Sequence, residues 1–569
     1  MTAVADLDGE VQGWLSAVLR KNPGASKRLR LAHPSAPAQP ELRDIQQALA
    51  RERGFDSWQA LTAAVAAQSD ARAPAKTPHE QRVADFLQLA CWDHHIHGRD
   101  DHSWPEMAAG RLLRKHPEIA RDSIYTAVVS SDVAAVERIL AERPSLVNQK
   151  GGVRGWEPIL YLCYGRLPIP AARDNAAAVA RALLDRGANP NAYYMAGDAL
   201  YGTLVGVAGE GEQEAPPHPA REALYQLLLD RGAELYDIQV LYNTHFRGDL
   251  LWWLEPTYAH ALKTGRKSDW DNPDWPMLDM GGYGSGARFL LETAIDKNDA
   301  ALAEWALARG ANPDPPPAPH RTFSKRSVYE DAVALGCTEI AALLVRHGAP
   351  ARAPSLEGEE AFVSACLRLD RDLAAALARE HPDYLRSTTA IFAAAGRDRP
   401  DAIALLLELG VPVDLANNRN ARALHEAACR NALAAAAFLL ERGADANARE
   451  AKYDGTPLQG AAHFGHEPMI DLLTPHSRDI WYLTYLGKID RLRQVLSEEP
   501  ALAKSIRGGV TPLWWLPDDE RLAVETVELF VAHGTDPAFV SENGTTGADF
   551  AERRGLDEAA ASLRRAQKG

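Results

Sequence analysis

Four stretches of the chain hold residue types that can do chemistry. Asp93-His94-His95-Ile96-His97, followed by Asp100, Asp101 and His102, offers imidazoles and carboxylates. A His-x-His step can set two imidazoles on one side of an extended chain, as a zinc or nickel site needs. The segment falls between two predicted helices, where a solvated polar loop is expected, and no strand pattern beside it suggests a barrel to hold the metal. His425-Glu426-Ala427-Ala428-Cys429 begins like a His-Glu-x-x-His zinc helix but lacks the second histidine, so a metal would be short of a ligand. Gly281-Gly282-Tyr283-Gly284-Ser285-Gly286 could present backbone N–H groups to an anion. It has neither dinucleotide-binding nor Walker spacing, and no apolar strand precedes it. Ser285 is not in a Gly-x-Ser-x-Gly elbow, and no Ser, His and Asp set stands out. The expectation is a protein with no catalytic residues, no cofactor and no metal. A metal-dependent enzyme or sensor built on His94 to His102 is the alternative.

The elements around these stretches point elsewhere. In Asp454-Gly455-Thr456-Pro457-Leu458-Gln459-Gly460-Ala461-Ala462-His463-Phe464-Gly465-His466, Thr456 can cap a helix and Pro457 sits at its first position, where a missing N–H costs nothing. Leu458, Ala461 and Ala462 form a narrow apolar stripe, and Gly465 supplies the terminating turn. A second helix follows through Ile470, Leu472 and Leu473. A second pattern, an apolar helix running into Leu-Leu-x-x-Gly-Ala, recurs at Leu183-Leu184, Leu228-Leu229, Leu343-Leu344, Leu406-Leu407 and Leu439-Leu440, with looser copies near Leu307 and Phe530. Gly410 and Gly443 lie one period of about 33 residues apart. Other copies end in Pro-x-Leu or Pro-x-Tyr-Leu, at Pro144, Pro382 and Pro500. About eleven or twelve repeats fit.

These motifs resemble the ankyrin repeat family, and the resemblance covers about residues 80 to 569. It implies an all-α solenoid of stacked helix-turn-helix pairs with short β-turn connections. It also implies a binding scaffold that holds a folded protein partner on inner helices and turn tips, with no cofactor. In the family's register, Ala423-Leu424-His425-Glu426-Ala427-Ala428 is the Pro-Leu-His-x-Ala-Ala segment, and His425 would hydrogen-bond the backbone of a neighbouring turn. The Gly54-Phe55-Asp56-Ser57-Trp58 turn is similar to one found ahead of the array in many bacterial ankyrin proteins.

Length and composition agree. A chain of 569 residues exceeds one compact core, and its 7% aromatic content suits thin helices. A net charge of −15 argues against nucleic acid as partner, because phosphate binding needs a basic footprint. Cys91, Cys163, Cys337, Cys366 and Cys429 lie far apart without a Cys-x-x-Cys pair and read as buried free thiols of a reducing compartment. No basic, then apolar, leader opens the chain and no run of eighteen apolar residues occurs, so a cytoplasmic monomer without membrane contact is expected.

The expected organisation is a helical extension (1–69) with helices near 41–53 and 58–67, a linker (70–79), repeats (80–235), an aromatic-rich insertion (236–285), and further repeats with a cap (286–569). The insertion should be helical to about residue 262 and largely loop beyond. Its Tyr242, Trp252, Trp253, Trp270 and Trp275 are candidate partner contacts, since aromatics on an anchored loop bury much area for little rotamer entropy. Packing as a private mini-core is the alternative reading of the same residues. On the best-formed repeats the candidate contacts are Asn418, Arg419, Asn420, Lys452, Tyr453 and Asp454. An inhibitor or immunity-like role toward an enzyme is a further possibility within binding functions.

Overall fold

A computed structural model describes residues 3–19, 23–68, 76–93, 105–196, 199–211, 215–246, 249–319 and 325–568. The residues divide into two compact units, one of 1–98 with 112–286, the other of 99–111 with 287–569. Both are built from antiparallel helix pairs. The only regular β-sheet among the described residues is a hairpin in the first unit, β1 (Tyr193–Ala196) with β2 (Ala199–Gly202), in which Tyr193 lies opposite Gly202.

The repeat's chemistry is visible in the best-formed copy. Thr456 accepts the Gln459 N–H and Pro457 opens the helix Pro457–His463. Gly465 turns the chain at a φ of +68° into the helix Glu467–Leu473. In other copies this left-handed position holds Asn298, Asp398 or Asn431 instead of glycine, residues whose short polar side chains tolerate it. The Leu-Leu-x-x-Gly-Ala pattern closes the second helix. Gly443 takes a φ of +86°, and the Ala444 N–H returns 3.0 Å to the Leu439 carbonyl. The asparagine three residues after that alanine ties one repeat to the next. Asn447 donates to the His476 carbonyl and accepts from the Arg478 N–H, and Asn191 does the same with Gly232 and Glu234. The Pro-x-Leu variants form short 3-10 helices, Pro144–Asn148, Pro382–Arg386 and Pro500–Lys504.

In the second unit the apolar faces make one continuous core from Phe362 to Leu563, rich in Ala and Leu. Burial of this kind, roughly 25 cal/mol per Å² of apolar surface, is what holds thin helices in a stack. At the C-terminal end of this unit Arg111 is buried. Its guanidinium donates to the Arg554 and Asp518 carbonyls (2.8 and 2.9 Å) and pairs with the Asp518 carboxylate at 2.9 Å, which Arg554 also holds at 3.0 Å.

The first 68 residues form four helices, two more than the sequence reading gives: α1 (Ala3–Leu19), α2 (Pro23–Ala32), α3 (Leu42–Glu52) and α4 (Trp58–Gln68). Gly54 at φ +80° ends α3, and Ser57 accepts the Ala60 N–H at the start of α4. Leu7, Val11, Trp14, Leu29, Ile45, Leu49 and Leu61 make a core that, among the described residues, draws no member from beyond residue 65. Part of the expected linker is helix, because Thr77 and Glu80 form a capping box that opens Pro78–Ala90.

Ile238–His245 packs on Thr203–Ala208 as that helix packs on Pro158–Cys163, and the next helix, Leu251–Lys263, bonds to Arg221–Asp230 through Thr257 with Tyr225 and Lys263 with Asp230. The stacking rhythm therefore continues into the stretch where the sequence signal is lost. Beyond it the chain runs through two short 3-10 turns, Lys267–Trp270 and Pro276–Leu278. Gly286 has a simple packing reason: a Cβ there would stand 2.5 Å from the Leu278 Cβ and 2.6 Å from the Trp275 carbonyl oxygen.

Candidate functional site

Four hairpin tips of the second unit, 417–421, 450–455, 507–510 and 540–546, carry the exposed functional groups. Each is closed by its own backbone: Asn417 N–H to the Ala421 carbonyl, and bridges between Glu450 and Gly455, Arg507 and Val510, and Val540 and Thr546. Side chains fix their shapes. Asn417 Oδ1 accepts from the Arg419 and Ala421 N–H groups at 2.9 and 3.0 Å. The Glu450 carboxylate accepts from Lys452, Tyr453 and Gly455 N–H groups. Burial works to raise the Glu450 pKa, but these three donors hold it below the ordinary range.

Neighbouring tips are also bonded to each other. Ala451 N–H donates to the Arg419 carbonyl at 2.7 Å and Asn420 Nδ2 to the Arg449 carbonyl at 2.8 Å. Arg507 donates to the Tyr453 and Asp454 carbonyls at 3.2 and 2.9 Å. Beneath them His425, buried, donates from Nε2 to the Gly455 carbonyl (3.2 Å) while Nδ1 accepts from the Arg422 N–H, which makes it the neutral Nε2–H tautomer. Desolvation lowers its pKa. This is the brace to a neighbouring turn that the repeat register assigns to His425, and it leaves no lone pair for a metal.

The result is a rigid edge with apolar and cationic groups in solvent. Tyr453 is 62% exposed, Ile506 59% and Val540 55%, so three of the largest exposed apolar side chains sit at successive tips. The Lys452 ammonium lies 4.4 Å from the Tyr453 ring centroid. Arg419 and Lys452 are exposed and pair with no carboxylate among the described residues, whereas Asp454 is held by Arg449 and Arg507. Asn418 and Asn420 are exposed beside them. Sequence reading missed Ile506 and Val540; the turn residues Gly508-Gly509 and Gly544-Thr545-Thr546 mark the tips that carry them.

The aromatic candidates of 236–285 are placed differently. Trp253 and Trp275 are fully buried and Trp270 nearly so, which corrects their assignment as partner contacts: no indole surface remains to touch anything outside. Trp270 stands edge-on to Trp275 and to Tyr258 at 5.0 Å each, and its Nε1 donates to the Tyr236 hydroxyl at 3.0 Å. Trp252 is half-buried, edge-on to Tyr225 with the Arg221 guanidinium 4.2 Å over its ring. Tyr242 is half-buried among His245, Phe246 and Tyr283. His94, His95, His97, Asp100, Asp101 and His102 lie outside the described residues. Among the described residues no group of three or more His, Cys, Asp or Glu could hold a metal ion, and no helix is long and apolar enough to cross a membrane.

Comparison with known proteins places a family in the well-formed part of the second unit. The family model described as Ankyrin repeats (3 copies) matches residues 365–450 and 391–484. No curated protein matches the chain. Similar solved structures include an ankyrin repeat domain from Acinetobacter baumannii AYE, at 21% identity over 33% of this chain and 98% of that one, TM-score 0.25. The human ASB11 ankyrin repeat domain matches at 18% identity over 42% of this chain and 98% of that one, also with TM-score 0.25.

Proposed function

We propose that this ankyrin repeat protein is a non-enzymatic scaffold that grips a folded protein partner along the tips of its second unit. Ankyrin repeats are a protein-interaction module, and the observation that supports this location is the row of tips, the first three bonded to one another, that exposes Tyr453, Ile506 and Val540. Exposed tyrosine and arginine on a pre-formed backbone are the groups that carry binding energy at interfaces, because little entropy is lost when they are covered. Arg419 and Lys452 would meet carboxylates on the partner, and Asn418, Asn420 and Asp454 would supply polar contacts at the rim. Of the five aromatic candidates in residues 236–285, the half-buried Tyr242 and Trp252 are the two that keep surface for a contact.

The test is capture of a partner by immobilised full-length protein and by its Tyr453→Ala/Lys452→Ala variant. A stoichiometric partner held by the first and lost by the second, with circular dichroism unchanged, is the expected result. Equal capture by both would move the site off the tips.

A further inference from the structure

The first unit carries a second interaction surface that the sequence gives no hint of, and it goes beyond the tip reading above. Lys27 and Arg28 are adjacent on α2, so their side chains leave the helix about 100° apart. They serve different bodies. Arg28 turns inward to the module of residues 3–68: it stacks 3.8 Å over Trp14 and pairs with Glu10 at 2.7 Å and with Glu52 at 2.6 Å. Lys27 turns outward to the repeats, where its ammonium lies 2.8 Å from Glu234 and 3.0 Å from Asp237.

That acidic pair is a built socket. The Glu234 N–H is held by Asn191 Oδ1 at 2.8 Å, the inter-repeat bond described above. Asp237 is buried, and its other oxygen caps the helix Ile238–His245 through the Gln239 N–H. A second contact point stands nearby: the Tyr193 hydroxyl of β1 donates to Glu52 Oε1 at 2.5 Å, and Lys150 donates to the Glu52 carbonyl at 3.0 Å. Arg28 orients the Glu52 carboxylate for the Tyr193 bond. α2 also packs on β2, but the side-chain contacts described between the module and the repeats are hydrogen bonds and ion pairs, and the module's core is a separate cluster. Joins of that kind behave as docked-domain interfaces, which open and close as units.

We propose that the face formed by the Tyr193–Gly202 hairpin and the 232–237 turn is an interaction surface for a lysine-bearing helix, and that α2 of the N-terminal module is its resident, releasable occupant. With Lys27 in the socket this face is covered and recruitment falls to the tips of the second unit. With the module released, the socket offers Glu234 and Asp237 to the ammonium of another chain's helix.

Hydrogen exchange on the full-length chain tests this, in an Asp237→Asn background that keeps the Oδ1 cap and removes the second carboxylate, with Lys27→Glu, Glu234→Lys and the double exchange Lys27→Glu/Glu234→Lys. Each single reversal sets like charges face to face, and the amides of 193–202 should exchange about tenfold faster or more, because a partly buried pair is worth over 1 kcal/mol. The amides of α1 and α3 around Trp14 and Leu49 should keep their protection, reporting that the module's own core stays folded. The double variant should return exchange toward the wild-type rate, which no loss of folding can imitate. Unchanged exchange in both single variants, or a double variant as fast as the singles, overturns the proposal. Partner capture at the tips is read out separately, so failure here leaves the scaffold reading standing.

Discussion

Replacing Trp253 with alanine separates core from contact surface. Trp253 is fully buried, and a tryptophan hides about 200–250 Å² of surface, most of it lost to alanine. At about 25 cal/mol per Å² that is about 4–5 kcal/mol. One effect offsets it: the Trp253 indole N–H has no acceptor among the described residues, so its removal relieves roughly 1 kcal/mol of unmet desolvation. A net loss of about 3–4 kcal/mol agrees with the usual range for large core truncations. In a unit of this size about 2–4 °C of melting temperature goes with each kcal/mol, so the first unit should melt on the order of 10 °C lower. The assay is calorimetry of the full chain beside Trp252→Ala, whose half-buried ring should cost less than half as much. A Trp253→Ala melt within about 2 °C of wild type, coupled with lost partner capture, would refute the burial argument and return this indole to the surface.

Three further outcomes follow from other parts of the structure. Desolvation lowers the pKa of both His218 and His425, so the folded chain binds fewer protons than the unfolded chain below about pH 6.5. Stability therefore rises with pH through that window and is lost on acidification, by up to about 1.4 kcal/mol per pH unit per histidine; urea titrations at pH 7.5 and 5.5 check the sign, and His425→Gln should flatten the slope. Arg111→Ala strands the Arg554 and Asp518 carbonyls it serves and should cost about 3 kcal/mol in the second unit, read as earlier loss of protection at the amides of 547–566. Burial pushes the Cys91, Cys163 and Cys366 thiols up to about 12 and Cys337 to about 11, so iodoacetamide at pH 8 should label the half-buried Cys429 first, as mass spectrometry of peptides would show.

How much was legible in the sequence varies with the residue. Where glycine fills the left-handed turn and asparagine bonds across, as at Gly443 and Asn447, local chemistry dictates the repeat and the pattern is plain. Where Asn298 or Asp398 takes the glycine's place the turn is equally well formed, yet the letter that marks it is gone. The pair Ile238–His245 and Leu251–Lys263 carries neither mark, and a proline at 256 inside the second helix argues against it; only stacking against neighbouring helices reveals it. Burial of Trp253, Trp270 and Trp275 is likewise a tertiary fact, since an indole on a loop has the same sequence signature packed or exposed. At the tips, 418–420 and 452–454, named as candidate contacts from their turn positions, are exposed. The ammonium of Lys27 in its socket joins residues 207 and 210 positions apart, beyond the reach of any local pattern.

The central claim is that the tip edge of the second unit touches a protein. A photo-crosslinking amino acid placed at Tyr453, with a control at the exposed outer-helix residue Val345, measures this in the cells that make the chain. The scaffold account predicts one discrete protein adduct at 453 and none at 345. No adduct at 453, or the same adducts at both positions, would contradict it.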